Sequence, residues 1–167
     1  MSRGFVREDD QEEAPFVAPR AALPAGATNY VTPRGMQLLR SERDQLERQR
    51  TQLQGSDDEL RRERTVINGK LDLLNERIAS ARLVEPDGAP PTEVRFGTTV
   101  TFAFRNGPQT GKQRSFTIVG VDEADVNENR IAFTAPITRA LLGKRIGQVA
   151  EFPLGATVQE LTIEGIG

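Results

Sequence analysis

Three consecutive carboxylates, Asp57-Asp58-Glu59, follow a Gly55-Ser56 break in the middle of the chain. Carboxylate oxygen is a hard ligand suited to magnesium, and a carboxylate can also act as a general base. Five arginines collar this stretch: Arg48 and Arg50 before it, Arg61, Arg62 and Arg64 after it. Guanidinium groups suit phosphate oxygens, but they equally suit a solvated helix surface paired with Glu47 and Glu63. The acids have a plain reading too, because negative charge is favoured at a helix N-terminus. There is no cysteine and no histidine. That removes disulfides, thiolate nucleophiles, Ser-His catalysis and the commonest zinc ligand. Chemistry here must rest on carboxylates, Lys, Arg, hydroxyls or a partner's groups.

The elements flanking the acids decide how they are displayed. Thr32-Pro33 reads as a helix start, with Thr as cap and Pro at the first helical position. From there Met36, Leu39, Leu46 and Leu53 fall on a heptad, followed by Leu60, Ile67, Leu71, Leu74, Ile78 and Ala81. Folding the chain back near Ser56 pairs Leu53 with Leu60, Leu46 with Ile67, Leu39 with Leu74, and Met36 with Ile78. This is the pattern of an antiparallel coiled-coil hairpin. Arg43 would then face Leu71, and Arg50 would face Arg64, a like-charge layer near the turn. A single long helix is the competing reading. Gly55-Ser56 disfavours it, and Ser56 with Glu59 three residues on forms a capping box. The hairpin therefore displays its acids at the far end of a rod.

The chain divides into an N-terminal arm (1–29), the hairpin (30–84), a linker (85–92) and a C-terminal domain (93–167). The arm is rich in Pro, Ala, Gly and acids and lacks any period, so a flexible segment is expected; Phe5, Val6, Phe16 and Val17 are apolar residues in it with which it could dock elsewhere. The linker runs Glu85-Pro86-Asp87-Gly88-Ala89-Pro90-Pro91. After it the apolar period changes to two, in Val100-Phe102-Phe104, Phe116–Val119, Ile131–Phe133, Glu151–Pro153 and Val158–Ile163. Asn106-Gly107 and Asn127–Asn129 supply turns. Thr138–Leu142 with Gly143 reads as one short capped helix, with Leu141 and Leu142 in the core. The fold class is α+β: a helical hairpin followed by a small antiparallel sheet with one short helix. Asp122, Glu123 and Asp125 resemble a metal cluster, but no glycine-bearing calcium loop follows, and a turn is expected.

Net charge is −2 over 167 residues. The arm holds 3 basic and 5 acidic side chains, residues 30–84 hold 11 and 9, and residues 85–167 hold 8 and 10. The hairpin alone is net basic, too weakly for charge by itself to imply nucleic-acid or DNA binding. No window approaches a membrane span and no signal-peptide core opens the chain, so a soluble cytoplasmic protein without membrane contact is expected.

Several of these segments resemble the bacterial Gre (GreA/GreB) transcription elongation factors. Tyr30-Val31-Thr32-Pro33-Arg34-Gly35 is similar to the family's Y-x-T-P-x-G opening of the coiled coil. The C-terminal similarity is denser: Phe96–Val100, Thr117–Asp125, Ala135–Lys144 and Ile146-Gly147. The Met1–Asp10 start also resembles tails of GreB-type members. The resemblance covers residues 30–166. It implies an antiparallel coiled coil joined to an FKBP-like domain that docks on the rim of the RNA polymerase secondary channel. The coiled coil enters the channel, where acidic tip residues help hold magnesium and the polymerase cleaves backtracked RNA. The factor itself is then not an enzyme and has no cofactor of its own; magnesium is shared with the polymerase.

On this resemblance Asp57, Asp58 and Glu59 are the accessory catalytic and metal-facing groups. Thr134, Ala135, Pro136 and Ile137 form the polymerase-docking loop, and Arg48, Arg50, Arg61, Arg62 and Arg64 contact the nascent RNA 3′ end or the channel wall. A monomer is expected. The tip departs from the family. Cleaving members carry a G-D-L-S-E-N-type tip with Asp and Glu three apart, whereas here Ser56 stands three before Glu59, on a hairpin that reads as shorter than usual. Two rivals stay open: a non-cleaving channel binder that inhibits or competes with cleaving factors, and a protein-interaction module. The FKBP-like resemblance implies no prolyl isomerase activity. The chain has no Trp, and its one Tyr, Tyr30, lies outside the domain in sequence.

Overall fold

The computed structural model describes residues 13–167. The expectations for Phe5, Val6 and the Met1–Asp10 start fall outside those residues. Strand β1 (Asn29–Val31) leads into helix α1 (Pro33–Thr51); helix α2 (Asp57–Ser80) follows and runs straight into strand β2 (Ala81–Leu83). Thr32 caps α1 as its sequence suggests. Its backbone is extended, its hydroxyl accepts from the Gly35 N–H at 2.9 Å, and Pro33 occupies the first turn.

The two helices share one apolar core. Leu39, Leu46, Ile67, Leu71 and Leu74 are buried in it with Val31, and Met36, Leu53, Ile78 and Ala81 pack at its margin. Leu60 is only half-buried, so the layer nearest the turn is the thinnest. The like-charge layer is relieved because Arg50 donates across to the Asn68 side-chain oxygen at 3.3 Å. The 24 residues of α2 extend about 36 Å at about 1.5 Å per residue.

Strands β1 and β2 pair in parallel, with Asn29 opposite Ala81 and Val31 opposite Leu83, and tie the outer ends of the helices together. At three residues each they are too short to show a period. The buried Asn29 amide donates to the Arg77 carbonyl at 2.9 Å and to the Ser80 hydroxyl at 3.1 Å. The Ser80 hydroxyl donates to the same carbonyl at 3.1 Å, so Asn29 and Ser80 together satisfy an acceptor in the last turn of α2.

The remaining strands are β3 (Thr99–Phe104), β4 (Gln113–Val119), β5 (Arg130–Ala132), β6 (Val149–Leu154) and β7 (Thr157–Ile166), with helix α3 (Pro136–Leu141) between β5 and β6. Their order in the sheet is β5-β4-β3-β7-β6. All neighbours are antiparallel except β4 and β5, which pair in parallel. The expectation of a purely antiparallel sheet is thus corrected. Residues 120–129 fold into a turn and a short 3-10 segment, Val126–Glu128, long enough to return the chain and restart it beside β4. One face packs Val94, Val100, Phe102, Ile118, Leu141, Ala150, Leu161 and Ile163 into a second core.

Two further expectations are corrected here. Leu142 is 37% exposed while Leu141 is fully buried, because α3 ends between them and the next residue points outward. Strand β5 ends at Ala132, and the Phe133 N–H that follows still donates to the Val119 carbonyl of β4 at 2.9 Å. The Phe133 ring joins Tyr30 and Phe96 in a triangle with centroids 5.6–5.7 Å apart. Tyr30 therefore lies against the sheet domain rather than away from it, adding edge-on aromatic contact to the seam.

Candidate functional site: the acidic turn and the joint behind it

Helix α1 ends at Thr51, and residues 52–56 carry the chain into α2. Ser56 is the extended N-cap. Glu59 turns back upon it: one carboxylate oxygen accepts from the Ser56 N–H at 3.0 Å and from the Ser56 hydroxyl at 2.7 Å. These bonds, the N–H first, hold the Glu59 carboxyl below the usual range. A carboxylate whose folded pKa is depressed contributes fully above its unfolded value, and the contribution fades as pH falls through the lowered one. In an NMR titration the Ser56 amide shift should therefore move with a midpoint below the ordinary Glu value of about 4.3; a midpoint at that value would contradict the cap.

The other two acids are differently placed. Asp58 is exposed and lies 3.8 Å from the equally exposed Arg61. Asp57 is exposed and has no hydrogen bond or ion pair among the described residues. Successive residues on a helix step by about 100°, so three in a row splay rather than converge. Accordingly, no group of three metal-ligating side chains comes together among the described residues. Asp57 and Asp58 offer hard oxygen donors suited to magnesium, but any further ligands must come from elsewhere. Arg48, Arg50, Arg61, Arg62 and Arg64 are all exposed near this turn.

At the other end of the helices lies a group of residues whose joint role is not legible in the sequence. The Glu123 side chain is 1% exposed and lies 2.9 Å from Arg130 and 3.5 Å from Arg34. The Thr32 hydroxyl donates to it as well. Arg34 and Arg130 also reach Glu128, at 2.8 and 3.5 Å. Asp122 accepts from Arg77 of α2 at 2.8 Å and from Arg20 at 2.9 Å. Two glycines permit the approach. A Cβ on Gly35 would lie 2.9 Å from the Glu123 carboxylate, and one on Gly120 would lie 2.6 Å from the Tyr30 carbonyl oxygen. Tyr30, Thr32 and Gly35 on one side and Gly120, Asp122 and Glu123 on the other thus form a single joint between the helix pair and the sheet. The sequence shows both segments but not that they touch. The expected turn at Asp122–Asp125 is present, and its two buried acids are spent on arginines rather than on a metal.

In the segment Thr134–Ile137, Pro136 is exposed at the start of α3, and Thr134, Ala135 and Ile137 are half-buried. Ile137 packs against the sheet core, so only part of this loop is free for contact.

Residues 89–167 match the family described as "Transcription elongation factor, GreA/GreB, C-term". The similarity lies in this C-terminal segment, just under half of the chain. Over 94 residues the chain is 38% identical to transcription elongation factor GreA of Hyphomonas neptunium, covering 55% of this chain and 58% of that protein. Over 78 residues it is 40% identical to GreA of Bacillus licheniformis, covering 47% of this chain and 48% of that protein. The matches span about half the length of these curated relatives. Gfh1, the GreA factor homolog 1 of Thermus thermophilus, aligns with a TM-score of 0.38 at 18% identity over 84% of this chain and 99% of that one. That score is too low to bear on fold or function. The GreA/GreB region contains the sheet, the Pro136 loop, and Asp122 and Glu123 of the joint; the acidic turn and the arginine collar lie outside it. Among the described residues no helix is long and apolar enough to cross a membrane.

Proposed function

We propose that the chain is a transcription elongation regulator that binds RNA polymerase through its GreA/GreB domain, by an FKBP-like docking mode, and directs the α1–α2 hairpin into the secondary channel. The observation that carries this reading is the GreA/GreB match over residues 89–167, to which the helix pair is joined through the Arg77–Asp122 ion pair and the Thr32–Glu123 hydrogen bond. The protein acts as an accessory factor in the cytoplasm. Bond cleavage in backtracked RNA takes place in the polymerase's own active site, where magnesium supplies charge stabilisation and an activated water. Asp57 and Asp58 face that site as additional carboxylates. Glu59 holds Ser56 and so fixes the direction in which they point. The arginine collar meets phosphates of the RNA 3′ segment or the channel wall.

The docking loop is testable apart from the turn. Pro136 is exposed at the first position of α3, where an acid is favourable to the helix, so Pro136→Glu should leave the fold intact. Binding to the cognate polymerase, followed by fluorescence titration, should weaken at least about tenfold, equivalent to about 1.4 kcal/mol. Unchanged affinity would remove Thr134–Ile137 from the interface. A second reading, a channel binder that blocks without cleaving, is favoured by one observation: the cap occupies Glu59, leaving two adjacent acids in place of the Asp-x-x-Glu spacing. RNA shortening in a stalled, backtracked complex separates the two. Stimulated shortening supports the first, and binding without shortening supports the second.

A further inference from the structure

Residues 13–28 form no helix or strand, yet they do not stand away from the molecule. Val17 lies over α2 where Gly69 has no side chain; a Cβ there would meet a Val17 methyl at 2.7 Å. Three residues on, Arg20 reaches two elements at once. It grips Glu42 of α1 with both terminal nitrogens, at 2.8 and 3.0 Å, and reaches Asp122 beyond β4 at 2.9 and 3.1 Å. The next residue, Ala21, accepts from Arg77 of α2 at 2.6 Å through its carbonyl. Pro15, Pro19 and Pro24 stiffen the path. The Arg20 side chain is 17% exposed, so its forked contact is largely shielded from water. Arg20 thus bridges α1 and the sheet domain through two carboxylates, beside the Arg77–Asp122 pair that α2 makes with the same turn.

We infer that residues 16–24 are a strap that fixes the helix pair against the sheet domain, with Arg20 as its latch. Among the described residues, Asp122 would otherwise be held by Arg77 alone, and Glu42 would have no cation. The strap makes the hairpin and the sheet a single lever whose angle is set before any partner is met, which removes an ordering cost on binding. This does not depend on the identity of that partner and is tested on the isolated full-length chain.

The absence of cysteine allows two unique labels, at Thr65→Cys on α2 and Lys112→Cys in the sheet domain, both at exposed positions. Electron-electron distance measurement should give one narrow distribution for the otherwise unchanged protein. Arg20→Ala should broaden it or add a second population, with helix content by circular dichroism unchanged. Arg20→Lys, which keeps the charge but not the fork, should broaden it less. Phe16→Ala, at a residue 81% exposed, should match the parent. A narrow, unshifted distribution in Arg20→Ala would overturn the inference, as would equal broadening by Phe16→Ala.

Discussion

Replacing Asp57 and Asp58 together by Asn should lower stimulated RNA shortening in a backtracked polymerase complex by about 100-fold, equivalent to about 2.7 kcal/mol of transition-state stabilisation. Binding to the polymerase should be unchanged, because the affected side chains are exposed at the far end of the helices from the sheet domain. The effect follows from charge. An amide keeps the size of a carboxylate but loses the negative charge that pairs with magnesium. Glu59→Gln should behave differently. Glutamine at the third helical position can still accept from the Ser56 N–H, so the turn keeps its shape and most of the stimulation survives. Glu59→Ala should fall between, through a loosened turn. Equal loss in Glu59→Gln and in the double Asn variant would mean that Glu59 acts on the metal directly and leaves its cap on entering the channel.

The largest stability effect is expected at Glu123. Its side chain is nearly sealed, 1% exposed, with Arg130, Arg34 and the Thr32 hydroxyl upon it. Glu123→Ala strands these donors and takes an acceptor from the residue that caps α1. Removing one member of a buried pair can cost about 3–5 kcal/mol. Arg130 and Arg34 are 26% and 43% exposed and can turn towards water, so the expected loss is nearer about 2 kcal/mol. For a chain of this size that lowers the melting temperature by about 4–8 °C. Glu128→Ala removes an exposed partner of the same arginines and should change stability by no more than about 0.5 kcal/mol. Thermal unfolding of the three proteins checks the ordering. A Glu123→Ala variant as stable as Glu128→Ala would show that the joint is held by aromatic and backbone contacts alone.

Much of this architecture is legible in the sequence because local chemistry and tertiary structure agree. Thr32-Pro33 caps a helix, Ser56 and Glu59 make a cap, and the alternation of Val100 and Phe102 marks a buried strand face. The misses share one cause: they depend on what the chain meets far away in sequence. Strands β1 and β2 are three residues each and exist because the ends of the hairpin meet. The parallel β4–β5 pairing depends on the path of residues 120–129 in space. Asp122 and Glu123 read as turn residues and are turn residues, but their partners stand 45 to 102 positions away for Asp122 and up to 91 for Glu123. The arm before residue 29 has the composition of a solvated tail, and one arginine with two distant carboxylates is enough to seat part of it. At the acidic turn, the residue types were plain from the sequence; that one of the three carboxylates serves the backbone was present only as a capping-box pattern.

The central claim is that the α1–α2 turn reaches the polymerase's catalytic metal. Ferrous iron placed at that metal position generates hydroxyl radicals that cut polypeptide close by, and the cut sites can be read by mass spectrometry. With the full chain bound, the account predicts cuts within residues 52–60 and none in the sheet. Cuts confined to the sheet domain, or none at all with the chain bound, would contradict it.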